Sequence, residues 1–255
     1  MRIAARSDTG RVRMTNEDAV LIDDDRGLVA LADGMGGHAR GAEASRLAVE
    51  TALAFLGARL HRLATGDAMT DLLVAAVHAA NAALQRENTG LTGRAAMGTT
   101  LIVCAVAGPE IRYAHVGDSR LYVVPADGGA TRQATRDQTL AQRLLDEGAP
   151  HASVTRWHHT VVEQTVGLHR AIVPETGVVT LAPGDTALLC TDGLSDMVDE
   201  DALAAIVRAH AGNPDAAAGA LVDAANRAGG IDNITAVIID PSPAAVPPRH
   251  GPHAE

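Results

Sequence analysis

Short apolar runs alternate along the chain with longer stretches in which apolar residues recur at helical spacing. The short runs are bounded by Gly, Pro, Asp or Asn, which is typical of β-strands between turns. After an N-terminal segment they read DAVLIDD, GLVALADGMGG, GTTLIVCAVAG, EIRYAHVGD, SRLYVVPADGG, GVVTLAP, DTALLCTD and NITAVIID. The separators Gly-Pro-Glu, Gly-Asp-Ser and Asp-Gly-Gly predict hairpin turns between neighbouring runs.

Helical spacing accounts for much of the remaining chain. Asp67 is the expected N-cap of the helix predicted over residues 67–85. Residues 148–176 are expected to be irregular. The predicted order is strands, helices, strands, helices and a last strand, and the sequence shows neither an internal repeat nor a linker. This order predicts one α+β domain over residues 1–240. The Pro-rich residues 241–255 are expected to be disordered. The predicted helices span residues 41–63, 67–85, 138–147, 200–211 and 214–228.

Composition narrows the possible functions. The chain has 255 residues, with 31 Asp plus Glu against 21 basic residues, and its formal charge is −10. Such an acidic protein repels nucleic acid and anionic membranes. Its aromatic content of 2% is also too low for a surface that stacks single-stranded nucleic acid. The sequence contains no Lys, which excludes Walker A, protein kinase and Schiff-base chemistry.

The two cysteines, Cys104 and Cys190, lie inside apolar runs and are expected to be buried, reduced thiols. Neither has an Arg at the sixth following position, where Glu110 and Asp196 stand, so the nucleophile pattern of cysteine phosphatases is missing. No apolar signal core opens the sequence, and no apolar run reaches the roughly 18–20 residues that span a bilayer. We therefore expect a soluble, cytoplasmic protein, and a monomer because nothing in the sequence indicates oligomerisation.

Carboxylates stand at the ends of four apolar strands. Asp33, Asp118 and Asp192 each close a run, and Asp232 immediately precedes the last one. Carboxylates that converge at one end of a sheet repel each other, and a divalent cation relieves that repulsion. Oxygen ligands alone indicate Mg²⁺ or Mn²⁺ rather than zinc. Each Asp taken singly is compatible with a solvated turn, but four in the same glycine-flanked context favour a metal site.

The motifs around these carboxylates resemble those of one family. They are Val12-Arg13-Met14-Thr15-Asn16-Glu17-Asp18, Asp33-Gly34-Met35-Gly36-Gly37-His38, Gly98-Thr99-Thr100, His115-Val116-Gly117-Asp118-Ser119-Arg120, Thr191-Asp192-Gly193-Leu194-Ser195-Asp196 and Gly230-Ile231-Asp232-Asn233-Ile234-Thr235. In this order they resemble the PP2C (PPM) metal-dependent serine/threonine protein phosphatases, in particular the compact bacterial members. The resemblance implies an αββα sandwich of two packed antiparallel sheets flanked by helix pairs.

The resemblance also implies a set of metal ligands. Asp33 would bridge two Mn²⁺ or Mg²⁺ ions, and the carbonyl of Gly34 would bind one of them. Asp192 and Asp232 would ligate the other ion, and Glu17 would act mostly through metal-bound water.

Two further residues and the reaction follow from the same resemblance. Asp118 would hold a third, weaker ion together with Asp192, and Arg13 would grip the substrate phosphate. The implied activity is hydrolysis of phosphoserine and phosphothreonine in proteins, by in-line attack of a hydroxide that bridges the two core ions. Physical chemistry supports this, because two cations acidify a shared water and neutralise the phosphate, while a guanidinium forks onto two phosphate oxygens. The implied cellular role is to oppose a bacterial serine/threonine kinase.

The sequence departs from the family pattern at the proton donor. Met35 stands where some members carry a His that protonates the leaving oxygen, so metal-bound water is the preferred donor here and His38 the weaker candidate. His38 more simply caps the following helix, and His115 is interpreted as a hydrogen-bonded structural histidine. Asp137 is followed by Gln138 where the family usually has His, and it is expected either to act indirectly on the third ion or to serve as a turn or cap.

Residues 148–176 correspond to the variable flap beside the family's active site. Trp157, His158 and His159 lie there and are expected either to contact a phosphopeptide or to form a mobile patch. A zinc site made by the two histidines is the weaker alternative.

Other classes explain the sequence less well. A haloacid-dehalogenase phosphatase requires Asp-x-Asp before Thr or Val and a later Lys, whereas Asp23-Asp24-Asp25 runs into Arg26 and reads as a charged hairpin. The histidine-phosphatase triplet at residues 249–251 has no preceding strand. A pseudophosphatase that binds phosphoproteins without turnover, and a phosphatase of small phosphates, remain alternatives that turnover assays distinguish.

Overall fold

The computed structural model describes residues 1–35, 39–59 and 66–241, and eleven strands within them form two antiparallel sheets. The strands are β1 (Arg2–Asp8), β2 (Asp18–Asp23), β3 (Leu28–Met35), β4 (Gly98–Thr99), β5 (Leu101–Ala107), β6 (Glu110–Val116), β7 (Arg120–Val124), β8 (Arg132–Gln133), β9 (Glu175–Thr180), β10 (Thr186–Cys190) and β11 (Ile234–Asp240). The first sheet has the order β1-β11-β10-β7-β8. The second has the order β2-β3-β5-β6-β9, and β4 pairs with β3.

Helices cover the outer faces of both sheets. The helices are α1 (Ala39–Gly57), α2 (Asp67–Glu87), α3 (Leu140–Asp146), α4 (Arg156–His159), α5 (Asp192–Ser195), α6 (Glu200–Ala209) and α7 (Pro214–Arg227). One hydrophobic cluster joins α1 and α2 to the second sheet, and another joins α5, α6 and α7 to the first. A third cluster fills the space between the sheets. These layers confirm the predicted αββα sandwich.

The period-two pattern of the strands explains how the layers form. Leu101 and Val103 of β5 pack towards the helices, whereas Ile102 and Cys104 pack into the cluster between the sheets. Because successive strand residues face opposite sides, a strand that is apolar throughout can supply two cores at once. Cys190 is also buried, and both cysteines are free thiols as expected.

Two local predictions were wrong, and one short helix was not predicted. Gly117 to Ser119 forms no hairpin but carries the chain from β6 in the second sheet to β7 in the first. Helix α2 is preceded by Gly66 with φ of 61°, so Asp67 lies in the first turn and is not the N-cap. The short helix α5 escaped prediction because four residues are too few to show periodicity.

Some predictions fall outside the described residues. These are the capping role of His38 and the disordered tail. The first helix was predicted to run to residue 63, but α1 ends at Gly57, where residues 58 and 59 form a turn. Among the helices of the described part of the chain, none is long and apolar enough to cross a membrane.

Candidate active site

Antiparallel pairing of β2 with β3 brings two carboxylates together. Asp18 begins β2 and lies opposite Asp33, which is near the end of β3. The Asp18 carboxylate accepts hydrogen bonds from the hydroxyls of Thr191 and Thr235 in the other half of the sandwich, at 2.9 and 2.6 Å. The carboxylates therefore lie where the two sheets meet.

The backbone of Asp33 is fixed by the Gly-Thr-Thr motif. Its N–H donates to Thr100 Oγ1 at 2.9 Å, and its carbonyl accepts from Thr100 N at 2.9 Å and from Thr99 Oγ1 at 2.7 Å. Thr100 Oγ1 lies 2.8 Å from Ser119 Oγ in the loop that crosses between the sheets. These bonds fix the backbone that carries the Asp33 carboxylate.

Burial and mutual repulsion dominate the electrostatics of the cluster. Burial raises the pKa of Asp33 well above its usual value, and the charges of Asp18, Asp192 and Asp118 raise it further. Burial likewise raises the pKa of Asp18 to about 7 and that of Asp192 to about 6, with like charges adding to both shifts. The pKa of Asp118 is raised well above its usual value for the same reasons. The cluster therefore retains protons near neutral pH unless positive charge is supplied.

Asp232 lies at the more exposed side of the cluster, where it meets Arg13. Arg13 Nη2 donates to Asp232 Oδ2 at 2.6 Å, and the backbone N–H of Asn233 donates to Oδ1 at 2.8 Å. The Asn233 side chain donates to the carbonyls of Thr9 and Thr15, both at 2.9 Å, and its oxygen accepts from Glu17 N at 2.8 Å. One buried Asn thus ties the Arg13 loop to the Asp232 loop.

Glu17 and Gly34 lie against the first turn of α1. The N–H of Gly34 donates to the Glu17 carbonyl at 3.0 Å, and Ser45 Oγ donates to the same carbonyl at 2.5 Å. A Cβ at Gly34 would lie 2.1 Å from the carbonyl oxygen of Gly41, and a Cβ at Gly41 would lie 1.9 Å from Glu17 Oε2. Both glycines are therefore required by close approach, and they keep the Glu17 carboxylate next to the Asp33-Gly34 segment.

The residues around Asp118 answer two questions left by the sequence. Arg120 forms a forked pair with Asp137, with Nε to Oδ1 at 3.0 Å and Nη2 to Oδ2 at 2.6 Å, so Asp137 orients an arginine rather than capping a helix. His115 is fully buried, its Nε2 lies 3.2 Å from the Gly117 carbonyl, and burial lowers its pKa to about 4. The interpretation of His115 as a hydrogen-bonded structural histidine is confirmed.

The flap brings one of its three expected residues to the cluster. His159 and Thr160 line a small cavity together with Asp118 and Asp192. Trp157 is exposed, and its ring meets that of His158 edge-on at 5.3 Å. His158 is tied to the flap itself by a capping box with Thr155.

The donor set suits hard divalent cations. The clustered side chains offer only carboxylate oxygens, which are the ligands that Mg²⁺ and Mn²⁺ prefer. The buried Oδ1 atoms of Asp18 and Asp192 have no hydrogen-bond partner, and buried acceptors of that kind require either a proton or a cation. Within the described residues, no three His, Cys, Asp or Glu side chains are spaced closely enough to hold one metal ion together. Arg13 holds Asp232, so a cation that binds this carboxylate would have to separate the pair.

Known proteins share both the motifs and the sandwich. Residues 10–223 match the family model described as Protein phosphatase 2C. The chain belongs to the protein phosphatase 2C family. Serine/threonine protein phosphatase PstP of Mycobacterium tuberculosis is 37% identical over 247 residues, which make up 94% of this chain and 45% of PstP. The chain thus spans less than half the length of that relative.

Two further matches extend over almost the whole length of the protein or domain compared. Protein phosphatase PhpP of Streptococcus pneumoniae is 32% identical over 245 residues, which are 94% of this chain and 97% of PhpP. The solved catalytic domain of PstP in complex with two manganese ions superposes with a TM-score of 0.78 at 37% identity, over 93% of this chain and 96% of that domain. The family and the fold predicted from the sequence are confirmed.

Three residues of this PP2C-family site were quoted within motifs but given no role. Asp18 lies half-buried opposite Asp33, and Thr191 and Thr235 hold it from the other sheet. The sequence could have indicated Asp18, because this residue ends the Asn-Glu-Asp triplet and opens an apolar strand. Its proximity to residues more than 170 positions away depends on sheet packing, which the sequence pattern does not reveal.

At Gly193, helix α5 lies against the backbone of the loop that carries Asp232. A Cβ at this position would lie 1.9 Å from the carbonyl oxygen of Asn233, a backbone atom that cannot rotate away. We expect Gly193→Ala to lower the free energy of unfolding by about 3 kcal/mol, at the upper end of the cost of overpacking. Urea denaturation followed by circular dichroism measures the change.

The matched control is Gly219→Ala, in helix α7, where nothing lies within 4 Å of a new Cβ. Ala is the better helix former, so this variant should gain about 0.5–1 kcal/mol. Equal stabilities for the two variants would contradict the close approach of α5 to the Asp232 loop.

Proposed function

We propose that this protein is a Mn²⁺- or Mg²⁺-dependent phosphatase that hydrolyses phosphoserine and phosphothreonine in proteins. The observation that carries the proposal is the convergence of Asp33, Asp118 and Asp192 in one half-buried cluster, with Asp232 and the guanidinium of Arg13 at its exposed side. Family membership and the names of the relatives support it.

The proposed ligands divide into two core positions and one weaker position. Asp33 would contribute its carboxylate to both core positions, Gly34 would offer its carbonyl to one of them, and Asp192 and Asp232 would hold the second core ion. Glu17 would assist through water, and Asp118 with Asp192 would provide the third position. When bound, the ions supply an acidified water as nucleophile and neutralise the phosphate dianion.

The chain's own residues orient the substrate and limit the proton donors. Met35 ends β3 with a thioether that cannot give up a proton, and His38 lies outside the described residues. Because of that thioether, the leaving oxygen is proposed to take its proton from water in the site, with His38 as the weaker candidate. The flap residues Trp157, His158 and His159 are proposed to face the protein substrate, with His159 closest to the carboxylates.

Arg13 is proposed to bind the phosphate. Its side chain is 52% exposed, and a guanidinium has five N–H donors, more than one carboxylate oxygen of Asp232 can accept. A fork of two parallel N–H bonds can therefore reach a phosphate. We expect Arg13→Ala to raise KM for a phosphothreonine peptide about 10-fold or more, in line with the loss of a charged hydrogen bond.

Steady-state kinetics in Mn²⁺ measure that change, with Arg46→Ala as control because Arg46 pairs with Glu50 on an exposed face of α1. An unchanged KM in Arg13→Ala would remove the residue from phosphate binding.

The proposal is tested by comparing two substrates of different size. A phosphothreonine peptide and free phosphothreonine present the same phosphate ester, and a protein phosphatase should show kcat/KM at least about 10-fold higher for the peptide because it binds the flanking chain. Higher kcat/KM for the free amino acid would favour a phosphatase of small phosphates. Binding of the peptide without phosphate release would favour a pseudophosphatase.

The partners follow from the proposed activity. Phosphorylated proteins are the substrates, and a serine/threonine kinase that modifies them is the proposed counterpart. A monomeric, cytoplasmic enzyme is the simplest form of this proposal.

A further inference from the structure

Three exposed apolar residues are direct sequence neighbours of Arg13 or Asp232, which form an ion pair. Val12 and Met14 flank Arg13 and are 63% and 94% exposed, and Ile231 precedes Asp232 and is 44% exposed. None of the three belongs to a hydrophobic cluster of the fold. We call these three side chains the apolar rim.

The two loops that carry the apolar rim are locked together. Arg11 N donates to the Gly230 carbonyl at 2.6 Å, and a Cβ at Gly10 would lie 2.1 Å from the Asp232 carbonyl oxygen. The buried Asn233 side chain adds bonds to the carbonyls of Thr9 and Thr15. The apolar rim is therefore held at a fixed position relative to the guanidinium and is not a loose surface.

The position of the rim indicates what covers it. Single exposed apolar residues are common on protein surfaces, but three beside one functional group form a patch that a ligand can cover. Consecutive Cα atoms are 3.8 Å apart in any chain. When Arg13 holds the phosphate of one substrate residue, the neighbouring substrate residues are therefore within reach of the side chains on either side of Arg13.

We propose that the apolar rim binds the residues adjacent to the phosphorylated residue, and that this enzyme selects phosphorylated segments with apolar neighbours. The inference rests on the proposed function and specifies its substrate class. A net charge of −10 adds a second preference, because it disfavours segments with acidic neighbours. Leu, Ile, Val or Met next to phosphothreonine would bury the rim, whereas Gln or Glu would leave it exposed to water.

The test uses two phosphothreonine peptides of equal length and charge, with Leu or with Gln on both sides of the phosphothreonine. In Mn²⁺ we expect kcat/KM to be about 10-fold higher or more for the Leu peptide, from the apolar area removed from water. Calorimetry with the corresponding phosphonate peptides, which cannot be hydrolysed, should give the same ratio of Kd values. The second readout separates binding from the chemical step.

Variants assign the preference to the rim. Met14→Gln and Ile231→Thr change exposed side chains, so folding should be unaffected, and together they should lower the Leu/Gln ratio to about 2 or less. The matched control is Val178→Thr, which changes an equally exposed residue on β9, an edge strand of the second sheet, and should keep both the ratio and the activity.

Each outcome decides the question. A high ratio that collapses only in the rim variants supports the inference. Efficient hydrolysis of both peptides with a ratio near 1 overturns the inference and leaves the proposed function intact, as does a high ratio that the rim variants retain. Failure to hydrolyse either peptide in Mn²⁺ overturns the proposed function and the inference with it.

Discussion

Asp33→Asn should lower kcat for a phosphothreonine peptide by about 10³-fold or more. In the proposed bridging role, Asp33 would supply two oxygens that share a negative charge, whereas Asn offers one neutral oxygen. Cation stabilisation of a transferring phosphate contributes several kcal/mol, and each 1.36 kcal/mol is tenfold in rate. The protein should remain folded, because Asn removes a buried charge whose pKa is raised by burial and by neighbouring Asp residues.

The same substitution at Asp192 should have a comparable effect, because Asp192 is a proposed ligand of a core ion and its charge acts on Asp33. Asp223→Asn is the control, because Asp223 is exposed on α7 away from the cluster. Rates within tenfold of the wild type in a folded Asp33→Asn protein would rule out the bridging assignment.

Without cations, the protein should become less stable as the pH rises from about 5 to 7.5. The folded state retains protons on Asp18, whose pKa is raised to about 7, and on Asp192, at about 6, whereas an unfolded Asp has already lost its proton. The folded state thus binds more protons in this window, so stability falls with rising pH. His115 acts in the opposite direction between about 4 and 6.5, because its pKa is lowered. Several carboxylates outweigh one histidine, and the net loss should be on the order of 2 kcal/mol.

Urea denaturation in EDTA at a series of pH values measures this slope. Saturating Mn²⁺ should reverse it and add about 2.7 kcal/mol at pH 7.5 when the free ion is 100-fold above its Kd. Asp18→Asn keeps an acceptor for Thr191 and Thr235 but removes one charge, so its slope in EDTA should be shallower. Stability that rises steadily with pH in EDTA would show that the cluster is solvated rather than buried.

Local sequence patterns predicted the elements of this fold well. The last strand and helices α6 and α7 match their predicted positions closely, because caps such as Asp199 and Asn213 and the Pro at the start of α7 leave clear signals. The sandwich itself came from the family resemblance. Periodicity could not show that β6 and β7, which are neighbours in sequence, lie in different sheets.

The candidate site, like the fold, could be predicted only in part from local sequence patterns. Acids at strand ends pointed to Asp33, Asp118, Asp192 and Asp232 as one group, and the structure places them around the edge where the sheets meet. The supporting role of Asn233 was not predictable, because its bonds go to backbone carbonyls at residues 9 and 15 of a distant loop. Contacts of this kind depend on tertiary packing and leave no trace in local pattern.

The direct test of metal-dependent phosphatase activity is phosphate release from a phosphothreonine peptide, first with Mn²⁺ and then with excess EDTA. We expect turnover that stops when the cation is removed and returns when Mn²⁺ is restored, while circular dichroism shows a folded protein throughout. Turnover that persists in EDTA, or a folded protein that binds the peptide in Mn²⁺ without releasing phosphate, would contradict it.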